Sequence, residues 1–522
     1  MAVTAPLMFA FTWQDRLASF GDDSVSYLVV ANWFAGASGN PLAAQWAAYH
    51  SHFPPLLPIL LWVSGGVTDY RIAYGLVAAF AVLALPMIYR YASLQLGSSV
   101  AGLAVALSFV LLPTAWISLK GILSESLYLM VSMACLLYFE VRLAAREGGT
   151  ADRWAFGVLL ACACLSRALG VAMLMAYAAY CATRVVTRRE SASVSMLLPY
   201  VPVAAALALW YGLRPHADVD TYRRTVGGMI GMWLADPPHM LQESVGVLSS
   251  GWIASFTAQA DVSALSGIVL LLLGVLAIAG VVLRVVRNRL DGWFVLFSLA
   301  IIFPWAFSAE NTRRLLYPLI PALFIGAGDF IRWACDRGGL TARTRAALAA
   351  TVMAVGAVVT FPALILVAQK AVDREVVIAG YPYTYRELAE YYTTINLETA
   401  RERAKLAVVT LAGLESIDTA TPVGARVMWM RPEYVGLLGH RSAAAFLYRW
   451  NAVELAREVK RAKVDYVAQT WLFKTDIEGA EGNPHRDLSA YARPAFAIGD
   501  IFVLMQVDSA ALDAYLRERR VP

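Results

Sequence analysis

The chain has 522 residues, 59% of them hydrophobic and 16% charged, with a formal net charge of +5. Soluble domains carry roughly 25% charged residues. Together with a mean hydropathy of +0.57, this excludes an ordinary soluble domain and points to an integral membrane protein. The positive balance sits in short loops between apolar blocks, so no nucleic-acid partner is expected.

The chain opens with MAVTAPLMFAFTW, apolar but shorter than the roughly 20 residues that cross a hydrocarbon core. It lacks the basic start of a signal peptide and reads as a shortened first helix. FGDDSVSYLVVANWF follows, Phe20 to Phe34, with Asp22 and Asp23 side by side. One Asp suffices to cap the helical SVSYLVVANWF, which leaves the second carboxylate for another role. In AAYHSHFPPLLPILL, Ala47 to Leu61, the Pro54-Pro55 pair forces an extended turn just after His50 and His52. The whole stretch 13–70 reads as a first outer loop.

Apolar blocks then fall near 71–92, 99–117, 121–141, 154–166, 168–183, 194–212, 262–283, 292–307, 315–333 and 345–369. The boundary at Arg167 follows from the high cost of a charge at mid-bilayer. Arginines gather in alternate loops: Arg90; Arg142, Arg146 and Arg153; Arg184, Arg188 and Arg189; Arg284, Arg287 and Arg289; Arg332, Arg337, Arg343 and Arg345. Short basic loops stay cytoplasmic. This predicts about eleven transmembrane helices with an inside N-terminus. The Asp pair, the loop after Pro113, the 213–261 loop, the AENTRR stretch and everything after Lys370 then lie outside. The long loop around Tyr222 to Met240 is expected to cover a cleft. Cys135, Cys162, Cys164, Cys181 and Cys335 show no disulfide framework and no zinc spacing.

Past Lys370 the long apolar blocks stop and charges of both signs mix. ARVMWM, Val464 to Ala468 and IFVLMQV read as strands, and NAVELAREVKRAKVDYVAQ starts with a helix capped by Asn451. The division is a transmembrane part, 1–370, and an extracytoplasmic α/β domain, 371–522.

These stretches together resemble the integral-membrane glycosyltransferases of the GT-C superfamily. The resemblance is to bacterial members related to protein O-mannosyltransferases and the lipid A aminoarabinose transferase. Such enzymes carry an acidic pair in the first outer loop, matched by Asp22 and Asp23, and a Lys-Pro-Pro-Leu-like element. The latter is matched by His52-Phe53-Pro54-Pro55-Leu56, with His in place of Lys. GILSESLYLM places Glu125 as their Ser/Thr-Glu, and GVLLACACLSRALG resembles their Gly-x-x-x-Gly-Leu-x-x-Leu-Thr-Arg-Pro segment, with Arg167 at the Arg. RRLLYPLIP resembles an Arg-Tyr-x-x-Pro-x-x-Pro element, with Arg313 at the Arg, Arg314 where the Tyr would stand, and Tyr317 nearby. PVGARVMWMRPEYVGLLGHRS is similar to their outer domain.

The resemblance implies a GT-C fold in a bacterial inner membrane. It also implies a polyprenyl-phosphate sugar donor and an envelope glycan, lipid (lipopolysaccharide among them) or protein as acceptor. Transfer needs a base for the acceptor proton and cations for the departing phosphate. Asp22 or Asp23 is the base, with Asp22 preferred, and mutual repulsion should raise one pKa. Arg313, Arg314, Lys120, Arg167 and His52 are candidates for donor phosphate. His50, Glu125 and Tyr317 are candidates for substrate contact. Lys120 also reads as a snorkelling side chain, and the arginines as outer anchors. Aromatics in outer segments, among them Trp46, Trp116, Tyr222, Trp233 and Trp252, suit an interfacial belt. No cofactor is required and no metal constellation appears, with a divalent cation at the Asp pair left open. An arabinofuranosyltransferase using decaprenyl-phosphate arabinose is an alternative. A transporter of a glycan or lipid is another, although no repeated halves are visible. A non-catalytic envelope assembly protein is the third.

Overall fold

The computed structural model describes residues 3–17, 23–144, 148–188, 191, 193–216, 221–258, 262–305, 308–339, 341–373, 383–393, 396–446, 450–471 and 485–519. Side chains at 37, 221–225, 342–355, 357, 385 and 390 lie outside that description. So do Asp22, Arg146 and Arg189.

Six described helices are long and apolar enough to cross a bilayer: Tyr70–Leu96, Glu125–Ala144, Ala168–Val186, Val194–Leu213, Ala264–Val286 and Ala309–Arg337. Other expected spans are shorter, for local reasons. The 99–117 block ends as a helix at Val110, because Leu112 turns extended before Pro113 opens the Pro113–Ile117 helix; a proline cannot donate to the preceding turn. The 292–307 block is the Leu290–Ile302 helix, and 154–166 lies in Thr150–Ser166. Arg167 has extended backbone, φ −151 and ψ 149, and separates the latter from the next span as the sequence predicts. The N-terminal helix, Thr4–Thr12, has nine residues. Ala342–Val372 runs for 31 residues.

The 213–261 segment departs from the expected covering loop. It holds two helices, Thr221–Ala235 and Pro237–Thr257. Asp236 caps the second by accepting from the His239 amide, and Pro237 takes its first position, where a missing N–H costs nothing. The Trp233 indole donates to the Pro304 carbonyl at 2.9 Å and the Trp252 indole to the Leu270 carbonyl at 2.7 Å. Both rings are thereby committed to packing.

Two spans meet backbone to backbone. A Cβ on Gly280 would stand 2.0 Å from the Gly326 carbonyl oxygen, so only glycine allows the Ala264–Val286 and Ala309–Arg337 helices this approach. Close contact of small residues is how spans associate where lipid removes the hydrophobic drive.

One end of the bundle is knit by the predicted basic loops. Arg284 pairs with Asp291 at 2.8 Å and Asp329 at 3.3 Å, and it donates to Gln95 at 2.6 Å. Arg287 and Arg332 reach the same Asp329 at 2.8 and 2.6 Å. Arg289 pairs with Glu140 at 3.3 Å, and the Asn288 amide donates to the Tyr180 carbonyl at 3.1 Å. The loops read as one side in the sequence therefore gather at one end. Arg314 and Asp329 lie 15 positions apart on the Ala309–Arg337 helix, about 22 Å along its axis. The two ends of the bundle are thus separately charged.

The C-terminal region forms a five-stranded sheet in the order β2-β1-β3-β5-β4. Its strands are β1 Arg426–Trp429, β2 Ser442–Ala445, β3 Tyr466–Thr470, β4 Ala492–Ile498 and β5 Phe502–Val507. Strand β1 runs parallel to β2 and β3, while β5 is antiparallel to β3 and β4. Helix Ala452–Arg461 starts on Asn451 with a reciprocal Glu454 bond, the capping box its sequence spells. The Leu397–Ala420 helix packs on β4 and β5, and the buried residues of sheet and helix are continuous with the apolar core of the bundle. The domain rests on the bundle through Arg16–Glu415 at 3.2 Å and through the Pro432–Leu438 helix against Leu42 and Ala43.

Candidate active site

Asp23 opens the Ser24–Ala35 helix from its N-cap position, but its side chain makes no capping bond there. The carboxylate turns instead to Arg314, 2.8 Å from Nη2. The same guanidinium donates from Nε to Glu125 Oε1 at 2.8 Å, and Arg167 Nη1 holds Glu125 Oε2 at 3.0 Å. Arg167 Nη1 also donates to Ser124 Oγ at 3.1 Å, which shares a 2.7 Å bond with the Tyr27 hydroxyl. Four charged residues from distant parts of the sequence thus form one chain, Asp23–Arg314–Glu125–Arg167.

Local structure explains each placement. Glu125 starts the Glu125–Tyr138 helix after Ser124, where a carboxylate gains from the helix dipole. Arg167 is aimed inward by its extended backbone between two helices. Arg313 and Arg314 occupy the second turn of the Ala309–Leu316 helix, which Ser308 caps. Glu125 is fully buried, whereas 35% of the Asp23 side chain is accessible. A carboxylate buried at this depth persists only when paired, and Glu125 has two arginines. Asp23 is the member of the chain open to a substrate.

The Asp23 carboxyl feels opposing forces. Burial pushes its pKa up, while the Arg314 guanidinium in contact, with Arg167 and Arg431 beyond it, pulls it below the ordinary carboxylate value. The expected upward shift within the Asp pair is therefore not found at Asp23. Contact with a cation outweighs desolvation there. Asp22, the preferred base, lies outside the described residues.

Arg313 is 3% exposed, and among the described residues its Nε and Nη1 have no hydrogen-bond partner. Its nearest carboxylate is Glu310, at 3.7 Å from Nη2. A buried guanidinium this sparsely partnered is costly, and an anion would satisfy it. An apolar cavity of about 440 Å³ is lined by Leu248, Trp252, Leu316 and Leu323 among others. Leu316 stands two positions after Arg314 on the same helix. The cavity's Leu271, Val275 and Ile278 also show exposed surface on a candidate span.

The other predicted residues make no ion pair with the Asp23 chain among the described residues. Lys120 is buried with its Nζ donating to the Phe11 carbonyl at 2.6 Å, over the Phe11 ring at 4.2 Å and the Tyr392 ring at 5.3 Å. Burial lowers its pKa to about 7. This lysine is held by the N-terminal helix and the C-terminal region, and not by the Asp23 chain. His52 Nδ1 stands 3.0 Å from the Tyr49 carbonyl, and its ring packs on Phe53 at 4.5 Å. His50 Nε2 lies 4.0 Å from Glu433 Oε1, and burial, followed by His52 and Arg431, lowers its pKa to about 3. Tyr317 is buried against Phe109, ring centroids 5.4 Å apart. Among the described residues no three His, Cys, Asp or Glu side chains gather as a metal site.

Arg431 and Glu433, from the C-terminal domain, were not singled out from the sequence. Arg431 Nε donates to Glu433 Oε1 at 3.3 Å. Nothing in the RPE spelling distinguishes them from a helix start, and only the docking of the C-terminal segment on the first loop brings Glu433 within 4.0 Å of His50 Nε2.

No protein-family model matches the chain, and no curated protein matches it. Among solved structures, ArnT from Cupriavidus metallidurans bound to undecaprenyl phosphate matches with a TM-score of 0.51 and 13% identity, over 97% of this chain and 96% of that one. The same protein in the apo state matches with a TM-score of 0.48 and 12% identity, over 98% and 97%. Archaeal oligosaccharyltransferase AglB from Archaeoglobus fulgidus, in complex with an inhibitory peptide and a dolichol-phosphate, matches with a TM-score of 0.46 and 12% identity, over 96% and 74%. The likeness to ArnT runs nearly end to end in both chains. This polytopic helical membrane protein with a C-terminal α/β domain has the GT-C fold.

Proposed function

We propose that the protein is a glycosyltransferase that moves one sugar from a polyprenyl-phosphate donor to an acceptor at the outer face of a bacterial inner membrane. The observation that carries this reading is the pairing of a substrate-open carboxylate with buried, anion-ready arginines at the same bundle end. Arg314 is already committed to Asp23 and Glu125, so Arg313 is the donor-phosphate cation. The apolar cavity at Leu316 suits the first isoprene units of a lipid tail. That ArnT was solved with undecaprenyl phosphate supports the same donor class.

In this reading the first-loop acids take the acceptor proton as the acceptor oxygen attacks the anomeric carbon. Arg313, with Arg314 behind it, stabilises charge growing on the departing phosphate. Attack opposite a bound leaving group inverts the anomeric centre. Asp23 and Glu125 are each in contact with guanidinium groups, which supply the positive charge at these two carboxylates.

Transfer from synthetic polyprenyl-phosphate sugars, hexose and pentose in parallel, tests the assignment. Arg313→Ala should lower turnover by roughly tenfold to a thousandfold, while Lys120→Ala should leave the chemical step near wild type. Wild-type turnover and donor affinity in both Arg313→Ala and Arg314→Ala would put the phosphate elsewhere.

Sidedness has its own test. Reporter fusions after Arg289 and after Lys370 are expected to report opposite faces, with the Arg289 fusion cytoplasmic. Two cytoplasmic signals would end the outer-face reading.

A further inference from the structure

Two helices at the site begin on residues of capping type that do not cap them. Asp23 and Ser124 are the N-cap residues of the Ser24–Ala35 and Glu125–Tyr138 helices, and neither side chain bonds its own helix. Asp and Ser are favoured at this position because their oxygen satisfies a free amide of the first turn. Here the backbone is compact, φ −89 and ψ 5 at Asp23 and φ −78 and ψ −5 at Ser124, in place of the extended form usual for a cap. Both side-chain oxygens are turned to partners outside their helices. A local rule broken in this way marks residues that serve a site.

Those partners form a closed circuit. Asp23 meets Arg314 at 2.8 Å, Arg314 meets Glu125 Oε1 at 2.8 Å, and Glu125 Oε2 meets Arg167 at 3.0 Å. Arg167 Nη1 donates to Ser124 Oγ at 3.1 Å, and Ser124 shares its 2.7 Å bond with the Tyr27 hydroxyl. Tyr27 returns to the start through its amide, which donates to the Asp23 carbonyl at 3.1 Å. A second bond runs alongside, from the Ile122 amide to Ser24 Oγ at 2.8 Å. Ser24 and Tyr27 stand one turn apart on the same helix face, so the 122–124 segment is seated on that face at two points. Ser24, Tyr27, Ile122, Ser124 and Glu125 are all buried, where a hydroxyl robbed of its partner is costly.

We infer that Tyr27, acting through Ser124, is a positioning residue of sugar transfer. Its hydroxyl fixes the head of the Ser24–Ala35 helix against Glu125 and so holds Asp23, the carboxylate open to substrate, in one place. This rests on the transfer site proposed above. A row of ion pairs open at one end would let Asp23 swing about Arg314, and closing the circuit removes that freedom. Tyr27 carries no charge, so its hydroxyl sets where Asp23 stands without altering the field at the donor phosphate. The Tyr27 ring packs edge-on to Phe53, centroids 5.2 Å apart, so Tyr27→Phe removes the hydroxyl and keeps that packing.

The test is sugar transfer by the full-length protein across donor concentrations, with Tyr27→Phe, Ser124→Ala and the two together. Each single change should lower kcat by about 5–50-fold with donor KM little changed, the size expected when a reacting group moves by less than about 1 Å. The double variant should fall no further than the less active single one, because both changes break the same bond. Unchanged kcat in Tyr27→Phe, losses that multiply in the double variant, or a loss carried by KM alone overturns the inference. If Ser124→Ala fails to fold, Tyr27→Phe decides alone. Amide hydrogen exchange in detergent supplies a readout that needs no turnover. Tyr27→Phe should speed exchange across 122–125, a segment whose Ser124 stands 97 positions away in sequence, and unchanged protection there overturns the inference as well. Absence of sugar transfer in the wild-type protein would instead count against the proposed function, and the exchange would still decide whether the Tyr27 hydroxyl holds the segment.

Discussion

Asp22→Asn is expected to lower sugar transfer by roughly 10²–10⁴-fold at near-normal expression, the range set by loss of a positioned general base. Asp23→Asn should also fall steeply, but by a different route. Asp23 touches Arg314, which is shared with Glu125, so its loss frees one guanidinium and redraws the field around the donor phosphate. The Asp22 variant should therefore lose kcat with donor KM little changed, whereas the Asp23 variant should change both. Contact with Arg314 keeps Asp23 a weak base, which is the physical reason to place proton transfer on Asp22. Initial rates across donor concentrations separate the two. Full activity in the double Asn variant would remove the acidic pair from the chemistry.

The helical blocks were legible in the sequence because a bilayer enforces their length and composition. Their breaks were legible where the cause was local. Arg167 splits its apolar run as expected, and Asn451 caps its helix with Glu454. Pro113 was visible too, but its effect on the 99–117 block was not drawn from the sequence. The 213–261 segment read as an outer loop because the stretch around Tyr222 to Met240 is long and mixed in character. In the structure Gly227, Gly228 and Gly231 lie inside the Thr221–Ala235 helix, and Asp236 and Pro237 open the next. A turn signal marks a boundary without saying how much regular structure lies on either side.

The site was legible to the extent that its residues carry unusual chemistry for their surroundings. Asp23, Glu125, Arg167 and Arg314 are charges in or beside apolar runs, and the structure brings all four together. Which cation each carboxylate takes was not legible, because pairing depends on helix approach. Lys120 has the same outward signature, yet its ammonium ends against the Phe11 carbonyl and two aromatic rings. Arg431 was hidden for the opposite reason. It sits in a segment of mixed charge, where an arginine is ordinary, and the approach of Gly436 to Leu42 that sets its helix against the first loop follows no local pattern.

Arg284→Met is expected to destabilise the folded protein by about 3–5 kcal/mol, the range found when one member of a buried ion pair is removed. Arg284, Asp291 and Asp329 have 2%, 1% and 2% of their side chains accessible. The substitution leaves Asp329 with Arg287 and Arg332, but takes from Asp291 its arginine at 2.8 Å. Most of the loss should therefore arise at Asp291. Removing that carboxylate as well, in Arg284→Met with Asp291→Leu, should recover a large part of the stability, because no uncompensated charge stays buried. Thermal unfolding in detergent, read with the yield of monodisperse protein, measures both variants. A loss within about 1 kcal/mol for Arg284→Met would mean that water or lipid headgroups reach Asp291 and solvate it. Turnover per folded molecule should change little, because this network lies about 22 Å along the helix from Arg314. The same helix, Ala309–Arg337, would then be secured at one end by Arg284 and Asp329 while its other end presents Arg313 to the substrate.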